Sequence, residues 1–182
     1  INVIFNYAQE VFLAAGYEVS ALMFSIVITG VVNLLFTVVA IFTVDRIGRR
    51  TLMLLGAGGL AAIYAVLGTG YFLQVSGVYM LVLVVSAIAC YAMSLAPITW
   101  VVISEIFPNR IRGAAMSVAV FSLWVACTAL TFLFPIMNRR LGPHGAFWTF
   151  GIICVVGFIV IYRTLPETKG KSLEDIEREL VD

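Results

Sequence analysis

Two amides four residues apart, Asn2 and Asn6, stand in an otherwise apolar run, and Gln9 and Glu10 continue their stripe. A third amide, Asn33, belongs to a second stripe, Ser25, Thr29, Asn33 and Thr37, with one member every four residues. Polar and aromatic groups punctuate two later runs: Tyr91, Ser94, Pro97, Thr99 and Trp100 in one, and Ser117, Phe121, Trp124, Thr128 and Thr131 in the other. Residues spaced by three or four share one helix face. Amides and hydroxyls in such rows make and break hydrogen bonds without forming covalent intermediates. No nucleophile–base pair can be assembled from this inventory, and the lone His144, in the turn Gly142-Pro-His-Gly145, cannot build a metal site. The chemistry these residues offer is therefore binding, with no enzyme activity, metal or cofactor expected.

The surroundings of these residues are set by composition. Hydrophobic residues make up 62% of the 182 and charged residues 12%, against about 45–50% and about 25% in soluble domains. Mean hydropathy is +1.07. So few charges cannot cover a soluble surface, so most of this one is expected to face lipid. A net charge of +1 with no basic stripe argues against nucleic acid. The three cysteines, Cys90, Cys127 and Cys154, all lie in apolar runs and are odd in number, which argues against a disulfide framework and leaves the compartment open. The sequence begins at Ile1 with an apolar run already under way, so a piece of a longer chain is expected, without a signal peptide before it.

Six apolar runs are legible: Ile1–Gly16, Ala21–Val44, Thr51–Leu73, Val78–Ile103, Ala114–Met137 and Ala146–Tyr162. Each is read as a transmembrane helix, which needs about 20 apolar residues, the first being short because its start lies upstream. The expected fold is thus all-α, with a six-helix transmembrane bundle over residues 1–163 and a tail over 164–182. Nine of the eleven bases fall in the connections after runs two and four and in the tail, and only Arg139 and Arg140 lie opposite. Positive-inside then puts the tail in the cytoplasm of a multi-pass protein of the cell membrane. An amide deep in hydrocarbon is costly unless it faces protein or water. Runs one, two, four and five are therefore read as sharing a polar interior, with the Gly-rich runs three and six as lipid-facing support. This order, polar, polar, bland, occurs twice, as in a 3+3 inverted repeat. For a single Ser or Thr, bonding back to its own helix suffices; for Asn2, Asn6 and Asn33 a wet cavity is the better reading, with interhelical hydrogen bonding as the alternative.

Two connections carry charge. Asp45-Arg-Ile-Gly-Arg-Arg50 joins runs two and three, and Ser104-Glu-Ile-Phe-Pro-Asn-Arg-Ile-Arg-Gly113 follows run four. Glu105 at the membrane edge has Arg49, Arg50 and Arg112 as natural partners. Two readings stand side by side: topogenic charge against anionic lipid, and a cytoplasmic latch that forms in one conformation and breaks in another.

Asp-Arg-x-Gly-Arg-Arg at 45–50, Ser-Glu-Ile-Phe-Pro-x-x-x-Arg-Gly at 104–113 and Pro-Glu-Thr-Lys-Gly at 166–170, in that order, resemble the sugar porter family of the major facilitator superfamily. The resemblance spans the chain and implies the C-terminal six helices of a twelve-helix alternating-access carrier. Its partners would be a sugar, the bilayer, an N-terminal six-helix half absent from this sequence, and protons if the carrier is a symporter. It further implies that Asn2 and Asn33 hydrogen-bond the sugar, that Trp100 packs on the pyranose, and that Tyr91 and Trp124 line the pocket. Asn6, where the family usually has Tyr, joins this set. Asp45, Arg49, Arg50, Glu105, Arg112 and Glu167 would form the cytoplasmic charge network. Sugar hydroxyls suit amides, which donate and accept at once, and sugar C–H faces suit aromatic rings. Leu123, where relatives often carry Gln or Asn, and Ala96, where they usually carry Gly, are departures that bear on which sugar is carried.

Two further signals complete the reading. Gly56-Ala-Gly58-Gly-Leu-Ala61 fits a dinucleotide fingerprint, but no strand precedes it, and close helix packing explains it better. In the tail, Ser172 and Asp175 resemble a capping box, with Leu173, Ile176 and Leu180 on one face of a short amphipathic helix. That helix either packs under the bundle or is simply solvated. Against the carrier stand a non-transporting sugar sensor on the same scaffold, a truncated subunit acting through helix contacts, and a transporter of a polyol.

Overall fold

The computed structural model describes residues 1–16, 19–107 and 111–165, without the side chains of 19–23, 45 and 46. Glu167, the motif at 166–170, the tail helix and the side chain of Asp45 lie outside the described residues.

Among the described residues the fold is all-helical: α1 (Asn2–Asn6), α2 (Ala8–Ala14), α3 (Val19–Ile47), α4 (Arg49–Phe72), α5 (Val78–Met93), α6 (Leu95–Glu105) and α7 (Arg112–Thr164). Four stretches are long and apolar enough to cross a membrane: Phe24–Val44, Arg49–Phe72, Val78–Glu105 and Arg112–Thr164. The apolar runs account for these helices, and the breaks have local causes. Between α3 and α4 the expected six-residue connection shrinks to one residue. The helix continues through Asp45 to Ile47, and Gly48 alone, at φ 105 and ψ 147, turns the chain, a conformation open to glycine because it lacks a Cβ. In α7, 53 residues long, Gly142 at φ 71 and ψ 172 makes the kink, immediately before Pro143.

Two apolar runs read as continuous are interrupted. Tyr7, at φ −118 and ψ 30, separates α1 from α2. Ser94, at φ −123 and ψ −81, separates α5 from α6. Pro97 is the third residue of α6, within the first turn, where a missing N–H leaves no intrahelical bond unmade.

The core gathers around α4. Leu60, Tyr64, Leu67 and Tyr71 pack against Val11 and Phe12 of α2, Met80, Val84 and Ile88 of α5, and Phe134, Phe147 and Phe150 of α7. The Tyr71 hydroxyl donates to the Val11 carbonyl at 2.7 Å, and its ring stacks on Phe147 at 5.3 Å. A smaller cluster, Val44, Leu52, Ile98 and Val102, closes the arginine-bearing end. The third run, expected as lipid-facing support, is thus central to the described bundle, although Leu55, Val66 and Phe72 on its other side remain exposed. Its small residues explain this: a Cβ on Gly59 would come within 2.9 Å of Cys90 Sγ, and one on Gly68 within 2.6 Å of Trp148 Nε1. The stripe on α3 turns inward at one end, with Ser25 and Thr29 buried and Asn33 and Thr37 half-buried.

Candidate binding cleft

The cleft is built where α1 meets the first half of α7. Proline lacks an N–H, so Pro135 leaves the carbonyl of Thr131, four residues earlier, without its helical donor. The Tyr7 hydroxyl donates to that carbonyl at 3.2 Å, and the Tyr7 ring lies 4.9 Å from Phe134. Tyr7 is thereby drawn against α7, and Asn6, about 100° around the helix from it, turns toward the space beside it. One turn earlier, Asn2 Nδ2 donates to Cys127 Sγ at 2.8 Å. That leaves Asn2 one N–H and its carbonyl oxygen to offer a ligand.

Between these tethers lies a cleft of about 350 Å³, with Asn2 and Asn6 on one wall and Trp124, Cys127, Thr128 and Thr131 on the other. Trp124 is 53% exposed, so its indole face is available. The Thr131 hydroxyl donates to the Cys127 carbonyl at 2.9 Å. Among the described residues, neither Asn6 nor Thr128 is held by a hydrogen bond from its side chain. The cleft therefore offers two amides, two hydroxyls and an indole in an apolar helix pair. It can hydrogen-bond and stack, and nothing in it is a nucleophile paired with a base. No group of three or more His, Cys, Asp or Glu able to hold a metal occurs among the described residues.

The expected binding residues divide. Asn2, Asn6 and Trp124 share this cleft. Tyr91 lines a second, apolar cavity of about 200 Å³ together with Ile4, Tyr64, Leu130 and Cys154. Asn33 is half-buried on α3, and Trp100, 48% exposed, stands on α6; neither lines these two cavities. Cys127 and the Tyr7–Thr131 tether are contributions the sequence reading missed. Their signal was present: Cys127, Thr131 and Pro135 repeat every four residues on one helix face.

At the opposite end of α4, two consecutive arginines diverge. Arg49 Nη2 lies 3.4 Å from Glu105 Oε1 at the end of α6, both side chains being part-buried. Arg50 Nη2 donates to the Tyr162 carbonyl at 2.7 Å, with its guanidinium 5.5 Å from the centre of the Tyr162 ring. That places a cation over the last turn of α7, where carbonyls lack helical donors and the dipole is negative. Arg112 Nε donates to the Phe107 carbonyl at 3.2 Å.

The family described as "Sugar (and other) transporter" matches residues 1–180. The D-xylose-proton symporter of Escherichia coli K12 is 40% identical over 97% of this chain and 37% of its own length. The arabinose-proton symporter of Bacillus subtilis is 37% identical over 98% of this chain and 39% of its own. The glucose facilitated diffusion protein of Zymomonas mobilis is 39% identical over 97% and 39%. A structure of the xylose transporter XylE from E. coli in an inward open conformation matches with a TM-score of 0.87 at 38% identity, covering 98% of this chain and 38% of that one. The chain thus spans less than two fifths of the length of these relatives.

Proposed function

The chain belongs to the sugar porter family of the major facilitator superfamily, and from that premise we propose that it is the C-terminal six-helix half of an alternating-access carrier for a monosaccharide. The six spans are α1 with α2, α3, α4, α5 with α6, and the two limbs of α7 on either side of Gly142. The arginine-bearing end faces the cytoplasm. An N-terminal half covers the exposed sides of Trp100 and Trp124, and the sugar binds between the halves near the bilayer midplane. Asn2, Asn6 and Trp124 contribute through the cleft, and Asn33, Tyr91 and Trp100 approach the sugar from α3, α5 and α6. The observation that carries this reading is the pair of amides facing an open indole across an apolar helix pair, since such groups are costly in a membrane unless a polar ligand or water meets them. The arginines at the start of α4 bind α6 and α7 in the state seen here, and their release accompanies the alternate state.

Uptake by the full-length protein in proteoliposomes tests this. Asn2→Ala, Asn33→Ala and Trp100→Ala should each raise the KM for the sugar roughly five- to a hundredfold, the worth of about 1–3 kcal/mol per lost polar contact. Unchanged KM in all three removes the site. Protons are candidate co-substrates, since two relatives are named proton symporters and a third is named for facilitated diffusion. Accumulation driven by an imposed pH gradient indicates symport, and equilibration alone indicates a uniporter.

A further inference from the structure

The two tethers of the cleft give it a direction. Asn2 meets Cys127 and Tyr7 meets Thr131, so α1 and this part of α7 run the same way, and groups along the cleft can be ordered. Trp124 lies at one end, Asn2 with Cys127 and Thr128 in the middle, and Asn6 with Thr131 at the other. At 1.5 Å per residue, Asn6 stands about 6 Å beyond Asn2, and Thr131 about 10 Å beyond Trp124. A sugar ring packed on the indole and bonded to Asn2 leaves the Asn6 end unfilled. Asn6 at that end and Thr128, one turn before Thr131 on the facing wall, border the remaining space, and neither is held by a side-chain hydrogen bond among the described residues. A hydroxymethyl arm on the ring plus one hydrogen bond of about 2.8 Å spans a distance of that order.

We propose that Asn6, with Thr128 on the facing wall one turn nearer Asn2, forms a second subsite that binds the exocyclic hydroxymethyl group of a hexose, so that the carrier discriminates in favour of sugars bearing that hydroxyl. The proposal rests on the cleft being the sugar site. Asn6 is suited to it because an amide both accepts from and donates to a hydroxyl, and because a polar group left unmatched by the substrate penalises an analogue lacking the hydroxyl.

The test uses the full-length protein in proteoliposomes and reads a ratio of affinities, from competition of D-glucose and of 6-deoxy-D-glucose against labelled D-xylose. The parent should bind D-glucose roughly two- to tenfold more tightly than the deoxy sugar, the worth of one or two net hydrogen bonds. Asn6→Leu and Thr128→Val should each bring that ratio toward one. A parent ratio near one, or a ratio that both variants leave unchanged, overturns the proposal. Loss of all sugar binding in both variants also overturns it, because a subsite for one substituent is not required by the ring. Absence of any sugar competition in the parent instead rejects the carrier reading on which the proposal stands.

Discussion

Gly56 of α4 faces the break between α5 and α6, and adding one methyl group there should disturb the helix that carries Trp100 and Glu105. A Cβ at Gly56 would lie 2.7 Å from Ser94 Cβ, closer still to Ser94 Oγ, and 3.2 Å from Leu95 Cγ. Carbon atoms pack at about 3.5–4.0 Å, so Ser94 has to move by about 1 Å. It cannot do so freely, because it is 2% exposed and its hydroxyl donates to the Cys90 carbonyl. Overpacking of this kind costs about 1–3 kcal/mol. Gly56→Ala should lower the unfolding free energy of the full-length protein in mixed micelles, followed by circular dichroism across a denaturant series, by that amount. Removing the obstructing atoms with Ser94→Gly should make the double variant lose less than the sum of the two single losses, with a coupling of about 0.5–3 kcal/mol. A neutral Gly56→Ala, or strictly additive losses, would refute the claim that this contact fixes α6.

Three further expectations follow from single contacts. Gly142→Ala places a Cβ at φ 71 and ψ 172 and within 2.9 Å of the His144 ring; it should destabilise the full-length protein by about 1–3 kcal/mol, and an unshifted thermal transition contradicts the assigned kink. Tyr7→Phe removes the donor to the Thr131 carbonyl and should cost about 1–3 kcal/mol. The same change in a Pro135→Ala background should cost less, since a helical N–H then takes that carbonyl, and equal losses in both backgrounds count against the tether. Glu105→Gln weakens the contact with Arg49 and should shift the balance of inward- and outward-facing states by up to about fivefold, the worth of roughly 1 kcal/mol for a part-exposed pair. Equal labelling of reporter cysteines on the two faces, in mutant and parent, contradicts a conformational role.

The apolar runs announced the long helices because hydrophobic length dominates structure in a membrane, and boundaries at Gly48 and Gly142 were marked by glycines in charged or proline-containing connections. Interruptions within runs were hidden. Tyr7 and Ser94 are unremarkable in composition, and each break sits against a distant neighbour: the carbonyl freed by Pro135 on a helix more than 120 residues away, and the space left by Gly56 on α4. The third run was misplaced because absence of polar groups was read as contact with lipid, whereas Gly56, Gly59 and Gly68 are small so that other helices can approach. Within the candidate site, the i, i+4 spacing was enough to put Asn2 and Asn6 on one face. The same spacing set Cys127 on one face with Thr131 and Pro135, but its contact with Asn2 depends on which helix packs against α1. The alignment of charge at the other end was legible in kind, as arginines set against Glu105, but Arg50 reaching the Tyr162 carbonyl is a matter of packing that charge counting cannot express.

The cleft contains its own reporter. In a full-length variant with Cys90 and Cys154 replaced by alanine and any cysteines elsewhere removed, a small maleimide should alkylate Cys127, and a transported monosaccharide at saturating concentration should slow that reaction at least several-fold while an equal concentration of a non-transported solute does not. Alkylation at the same rate with and without the sugar, in protein that still transports, would contradict the assignment of the space between Asn2, Asn6 and Trp124 as the place where sugar binds.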